Sequence, residues 1–218
     1  MHGEHHFTIT DGILKSYSGA DGEVTVPGNV IRIADSAFEG CRTLTVVRLP
    51  VGVEQIGRGA FRNCANLQRV TFADGLRSIG DSAFMGCAKL TEISLPDSVC
   101  ELGKEVFRYC RSLLRAVLPT DLREISAGLF SGCAVLKEVI LPKQAVRIQA
   151  RAFEDCRAME RVELPDKLRE IAQNAFAGCS GLKTVQLPES LRKIRSYAFR
   201  GCESLERMDI PTGVSHLS

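Results

Sequence analysis

Tryptophan is missing from this 218-residue chain, and aromatic residues make up only 6% of it. With 44% hydrophobic residues and so few rings, the composition is one that packs mainly through aliphatic side chains. No stretch reaches the roughly 18 uninterrupted apolar residues of a membrane-spanning helix, which argues against membrane insertion. The opening ten residues lack a basic region followed by an apolar one, so no signal peptide is expected and a cytoplasmic location stays open. A formal charge of +2 is too near neutral to single out nucleic acid or an anionic membrane as partner. Histidine is absent between residues 7 and 215, so no imidazole is there to activate a thiol. A Gly-rich phosphate loop and a zinc-type pair of closely spaced cysteines are also missing. The expectation is a protein that is not an enzyme and uses no cofactor.

What the chain does have is a repeat. Phe38, Phe61, Phe84, Phe107, Phe130, Phe153, Phe176 and Phe199 are each 23 residues apart. Cys41, Cys64, Cys87, Cys110, Cys133, Cys156, Cys179 and Cys202 keep the same spacing, three residues behind each Phe. Apolar columns follow from Leu44, Val47, Leu49 and Ile56, and a Pro closes the segment in seven units, with Ala73 the exception.

Each unit changes its hydrophobic period internally. In Glu92-Ile-Ser-Leu95 the alternation is two, which predicts a short strand with Ile93 and Leu95 inward and Glu92 and Ser94 outward. In the segment 81–87, Ala83, Phe84 and Cys87 share one face of a predicted helical turn, with Asp81 or Ser82 placed to cap it. One such unit cannot bury its apolar face alone; stacked copies share a core and pair their strands in parallel. Residues 1–32 read as an N-terminal cap with short strands near 7–9, 13–17 and 24–26, and 33–218 as eight full repeats plus a partial ninth.

The pattern LxxVxLPxxVxxIxxxAFxxCxx, seen from Leu44 to Asn66 and again from Leu90 to Ser112, resembles the Treponema pallidum-type, or BspA-like, leucine-rich repeat family. The resemblance spans 33–217. It implies an α/β fold: a right-handed solenoid with short parallel strands on its concave face and short helical turns on its convex side. It further implies a surface protein of bacteria or some protists, with adhesion or matrix binding as the role of several members, and it carries no catalytic residue.

Candidate sites follow from the columns. The outward strand positions are Val46, Arg48, Arg69, Thr71, Glu92, Ser94, Arg115, Val117, Glu138, Ile140, Arg161, Glu163, Thr184, Gln186, Arg207 and Asp209. Inward positions barely vary, whereas these do, which marks them as the expected partner-binding surface for a protein or glycan. Val117 and Ile140 form an apolar spot among charges, the best anchor candidate. The alternation Arg69, Glu92, Arg115, Glu138, Arg161 also fits a self-satisfied ion-pair ladder on a solenoid that acts as a spacer or scaffold.

The cysteine column is expected to be buried free thiols, because neighbouring strands lie about 4.8 Å apart and a disulfide needs Cβ atoms near 3.8 Å. Cys100 breaks the column and is expected to be an exposed, reactive thiol. His2, His5 and His6 read as a terminal tail rather than a metal site, so no metal is expected. Arg192, Lys193, Arg195 and Arg200 make the last unit basic, but only Tyr197 offers an aromatic beside them, which argues against nucleic acid.

Overall fold

The computed structural model describes residues 7–217. His2, His5 and His6 lie outside the described residues. A hairpin opens the chain: β1 (Phe7–Thr10) and β2 (Ile13–Tyr17) pair antiparallel across the Asp11-Gly12 turn. Two strands then follow per coil, the first longer than the second up to residue 148 and both two residues long between 161 and 194. They run β3 (Glu23–Thr25), β4 (Arg32–Ile33), β5 (Val46–Arg48), β6 (Gln55–Ile56), β7 (Arg69–Thr71) and β8 (Ser78–Ile79). The middle holds β9 (Glu92–Ser94), β10 (Glu101–Leu102), β11 (Arg115–Val117), β12 (Glu124–Ile125), β13 (Glu138–Ile140) and β14 (Arg147–Ile148). The series ends with β15 (Arg161–Val162), β16 (Glu170–Ile171), β17 (Thr184–Val185), β18 (Lys193–Ile194) and β19 (His216–Leu217).

Odd-numbered strands from β3 to β17 stack as one parallel ladder, and β2 with the even-numbered strands and β19 stacks as a second. The register is that of the sequence repeat: Val24 faces Val47, and Ile33 faces Ile56. The repeating geometry thus reaches back to Glu23, ahead of the boundary at 33 that the apolar columns suggest.

The first ladder is interrupted twice and the second once. No strand pairing joins β7 to β9, β13 to β15, or β10 to β12. At the first break Phe72 stands where most units have Leu, its ring edge-on to Phe84 at 5.9 Å, and Ala73 replaces the usual Pro. At the third, the Ser126 hydroxyl donates to the Leu102 carbonyl at 2.6 Å. Backbone amides make the equivalent bond elsewhere, as from Gly103 to Ile79.

The third side of each coil holds the Phe and Cys columns, and it corrects the helical turns. Among the described residues there is no helix. Around Phe84, alternate amides bond within the coil and to the next one. Met85 and Cys87 donate to the carbonyls of Ser82 and Phe84, while Ser82, Phe84 and Gly86 donate to Lys104, Val106 and Arg108. A helix is ruled out here because two residues of the turn are left-handed, Ser82 at φ 56° and Gly86 at φ 76°. Asp81 does not cap its own turn either; its carboxylate accepts the Lys104 amide of the next coil at 2.7 Å.

The core is one stack. Phe rings of adjacent coils lie face to face with centroids 4.7 Å apart at Phe38 and Phe61, widening to 5.8 Å at Phe107 and Phe130. Seven of these rings are fully buried, with Leu and Ile columns packed around them. Full burial of one such side chain stabilises by about 1.5–3 kcal/mol relative to exposure. Each ring inside the stack touches the coils on both sides, so stability resides in the stacking.

Candidate functional site

Strand alternation turns the odd-numbered ladder outward at the residues the sequence marks. Arg48, Arg69, Thr71, Glu92, Ser94, Arg115, Glu138, Ile140, Arg161, Glu163, Thr184, Gln186, Arg207 and Asp209 are exposed, while Val46 and Val117 are partly covered. Val117 faces Ile140 in register, and Ile140 is 44% exposed. The two residues are therefore unequal: Ile140 carries most of the accessible apolar surface.

The alternating charge column closes at one step. Arg115 Nε donates to Glu138 Oε2 at 3.0 Å, whereas Arg69, Glu92 and Arg161 form no ion pair among the described residues. Most of this column is therefore without an ion pair, and a fully self-paired ladder is not what the side chains form. Where β13 and β15 fail to pair, a cleft of about 500 Å³ opens beside Ile140. Leu141 and Leu164 line it, with Lys143, Arg161 and Glu163 around them.

The second ladder carries features that two-residue strands hide from a sequence reading. Arg147 reaches Glu124 at 3.7 Å and Glu170 at 3.4 Å, and Arg195 donates to Glu170 at 3.0 Å. Burial pushes the Glu170 carboxyl up, but the bond from Arg195 and the charges of Arg147, Arg195 and Lys193 outweigh it and hold it below its ordinary range. The signal for this network is the 23-residue spacing of Glu124, Arg147 and Glu170. On the same side a furrow of about 390 Å³ crosses Gly57, Gly80 and Gly103, where a Cβ would collide with the backbone of the preceding coil.

The cysteine column consists of free thiols, buried from Cys64 to Cys179 and half-buried at Cys41 and Cys202. Each thiol of the column from Cys64 onward donates to a Phe carbonyl 26 residues back, as Cys64 does to Phe38 at 3.0 Å and Cys179 to Phe153 at 3.0 Å. Burial pushes Cys64 up to about 12 and Cys202 to about 11. Cys110 and Cys156 are raised strongly by the same cause. Cys100 is exposed on the second ladder, its thiol 3.6 Å from the Arg77 carbonyl. The basic residues of the last unit are partly engaged: Arg192 donates to the carbonyls of Glu189 and Leu191, and Arg200 lies over the Tyr197 ring. Among the described residues no group of three or more His, Cys, Asp or Glu is arranged to hold a metal ion, and no helix is long and apolar enough to cross a membrane.

Stacked parallel coils, an aliphatic and Phe core, and a variable outer lining define a leucine-rich repeat scaffold. The chain belongs to the BspA-type leucine-rich repeat family, whose sequence pattern matches residues 17–135 and 100–218. It is similar to the leucine-rich repeat protein of Treponema pallidum, with 31% identity over 92% of this chain and 87% of that one, and a TM-score of 0.66. That likeness makes the solenoid right-handed in type. A leucine-rich cell surface protein of Faecalibacterium prausnitzii has the same fold at 24% identity, over 99% of this chain and 83% of that one, with a TM-score of 0.66. A leucine-rich repeat protein of Eubacterium ventriosum gives a TM-score of 0.72 at 24% identity, over 89% of this chain and 61% of that one. No curated protein matches the chain.

Proposed function

We propose that this protein is a non-enzymatic recognition module that binds a protein or glycan through the outward side chains of its odd-numbered ladder, as an adhesion or interaction domain. One observation supports this above the others: the cleft between β13 and β15 opens beside the most exposed apolar residue of that face, Ile140. An accessible apolar side chain with unpaired charges around it is the usual make-up of a binding hot spot. Solenoid scaffolds typically recognise partners on such an extended surface.

Affinity capture from host matrix and from cell lysate tests the reading, comparing the parent chain with Val117→Glu/Ile140→Glu. A partner held by the parent and lost by the double variant supports it. Equal retention by both chains refutes the placement of the anchor.

A further inference from the structure

We infer that the coil carrying β9 and β10 is a swivel link built into the solenoid. Every other inner coil keeps at least one ladder continuous through both of its junctions; this coil keeps neither. Toward the preceding coil its second-ladder pairing is intact, β8 to β10, while β7 and β9 do not pair. Toward the following coil the situation is reversed: β9 pairs with β11, while β10 and β12 do not pair.

The side-chain and turn contacts agree with this. The N–H of Thr91 reaches the Gln68 carbonyl at 3.4 Å, a long bond where the matching Gln68 to Thr45 bond is 2.8 Å. Leu102 is only partly covered, whereas Ile56, Ile79 and Ile125 at the same position are buried. The Phe stack is loosest on either side of this coil, at 5.7 Å between Phe84 and Phe107 and 5.8 Å between Phe107 and Phe130, against 4.7 Å and 5.0 Å in the coils before it. The turn side stays bonded throughout, with Phe84 N–H on Val106 and Phe107 N–H on Leu129.

A parallel ladder resists opening because its bonds run between the two strands it joins. At the upper junction the paired even-numbered ladder acts as the hinge line and the odd-numbered face opens. At the lower junction the hinge line moves to the odd-numbered ladder and the other face opens. Two hinge lines on different faces, one coil apart, let the two halves of the rod tilt about two axes while the Phe stack stays continuous. The curvature of the odd-numbered face is thus adjustable at residues 92–102, ahead of the Ile140 cleft.

Each of these two gaps coincides with departures from the repeat, which makes the swivel testable on the whole chain. Phe72→Leu/Ala73→Pro restores what most coils have at the exit of the first-ladder strand, and Leu102→Ile/Ser126→Gly restores the second-ladder residues of the earlier coils. Hydrogen exchange read by mass spectrometry compares residues 92–94 and 123–125 with the fully paired 46–48 and 147–148. The expected result is exchange about tenfold faster at the two strands paired on one side only in the parent, brought level with those paired on both sides in the four-substitution chain. Spin labels at Lys15→Cys and Lys183→Cys in a Cys100→Ser background give the second readout: a broad end-to-end distance distribution that narrows in the restored chain. Uniform protection in the parent, or a distance distribution equally broad in parent and restored chain, overturns the swivel.

Discussion

The ring of Tyr109 lies over Gly132 of the next coil, so a Cβ added at 132 would overlap Tyr109 Cδ1. Both residues are left-handed, at φ 60° and 76°. The same arrangement recurs at Asn63 over Gly86 and Asp155 over Gly178, so a side chain in one coil needs a glycine beneath it in the next. Gly132→Ala is expected to lose about 2–3 kcal/mol by denaturant unfolding, from the left-handed backbone and the displaced ring together. In a Tyr109→Gly background roughly half of that loss should return. An additive double-mutant cycle would show that the ring is not the obstacle.

Phe130 is fully buried between the rings of Phe107 and Phe153, at 5.8 and 5.6 Å. Its replacement by Ala leaves a cavity touching three coils and should cost on the order of 3–5 kcal/mol. Thermal unfolding of the variant at the parent's midpoint would contradict a shared core.

Arg151 is held at φ 58°, in a conformation that costs an L side chain roughly 1–2 kcal/mol. Its ion pair with Glu154, long at 3.9 Å and with the arginine exposed, returns little. Arg151→Gly should therefore stabilise the chain by up to about 1 kcal/mol, since glycine's own entropy cost offsets part of the relief. A lowered urea midpoint would count against this.

The buried thiols make stability depend on alkaline pH. Their folded pKa values lie above the unfolded ones because burial disfavours the thiolate. The folded state then holds more protons, so the contribution is complete below the ordinary thiol range and is lost as pH rises toward the folded value, about 12 for Cys64. Between roughly pH 9 and 11, unfolding free energy should fall by about 1.4 kcal/mol per pH unit for each fully buried thiol. Cys64→Ala should flatten that slope by one thiol's share; an unchanged slope would show that other groups set it.

Cys100 should react with a thiol reagent in the native state well before the others, because it alone stands outside the buried or half-buried column. Fast modification of several cysteines, followed by absorbance, would mean that the column is open to solvent.

The inward columns are legible in the sequence because a core position tolerates little besides apolar residues, and a 23-residue register makes the restriction visible at a glance. Strand alternation alone likewise turns Arg115, Glu138 and Ile140 outward. The turns mislead because Ala83, Phe84 and Cys87 fit a helical face as well as they fit two consecutive tight turns. The discriminating mark is Gly86 with its counterparts Gly40, Gly132, Gly178 and Gly201, a left-handed position recurring inside the expected helical segment. The second ladder is hidden because two residues cannot display a period. The β13 to β15 gap has no departure from the repeat at its strand exit, where Leu141 and Pro142 follow it, so a per-unit pattern does not reveal the gap.

The sulfurs of the Cys column point at carbonyls rather than at one another, and this makes the fold indifferent to the oxidising or reducing character of its surroundings. A solenoid stapled by disulfides would soften wherever glutathione is abundant, and one built on thiolates would be attacked wherever oxidants are. Here no disulfide holds the coils together, and Cys100 is the exposed thiol on which a change of redox surroundings should register first.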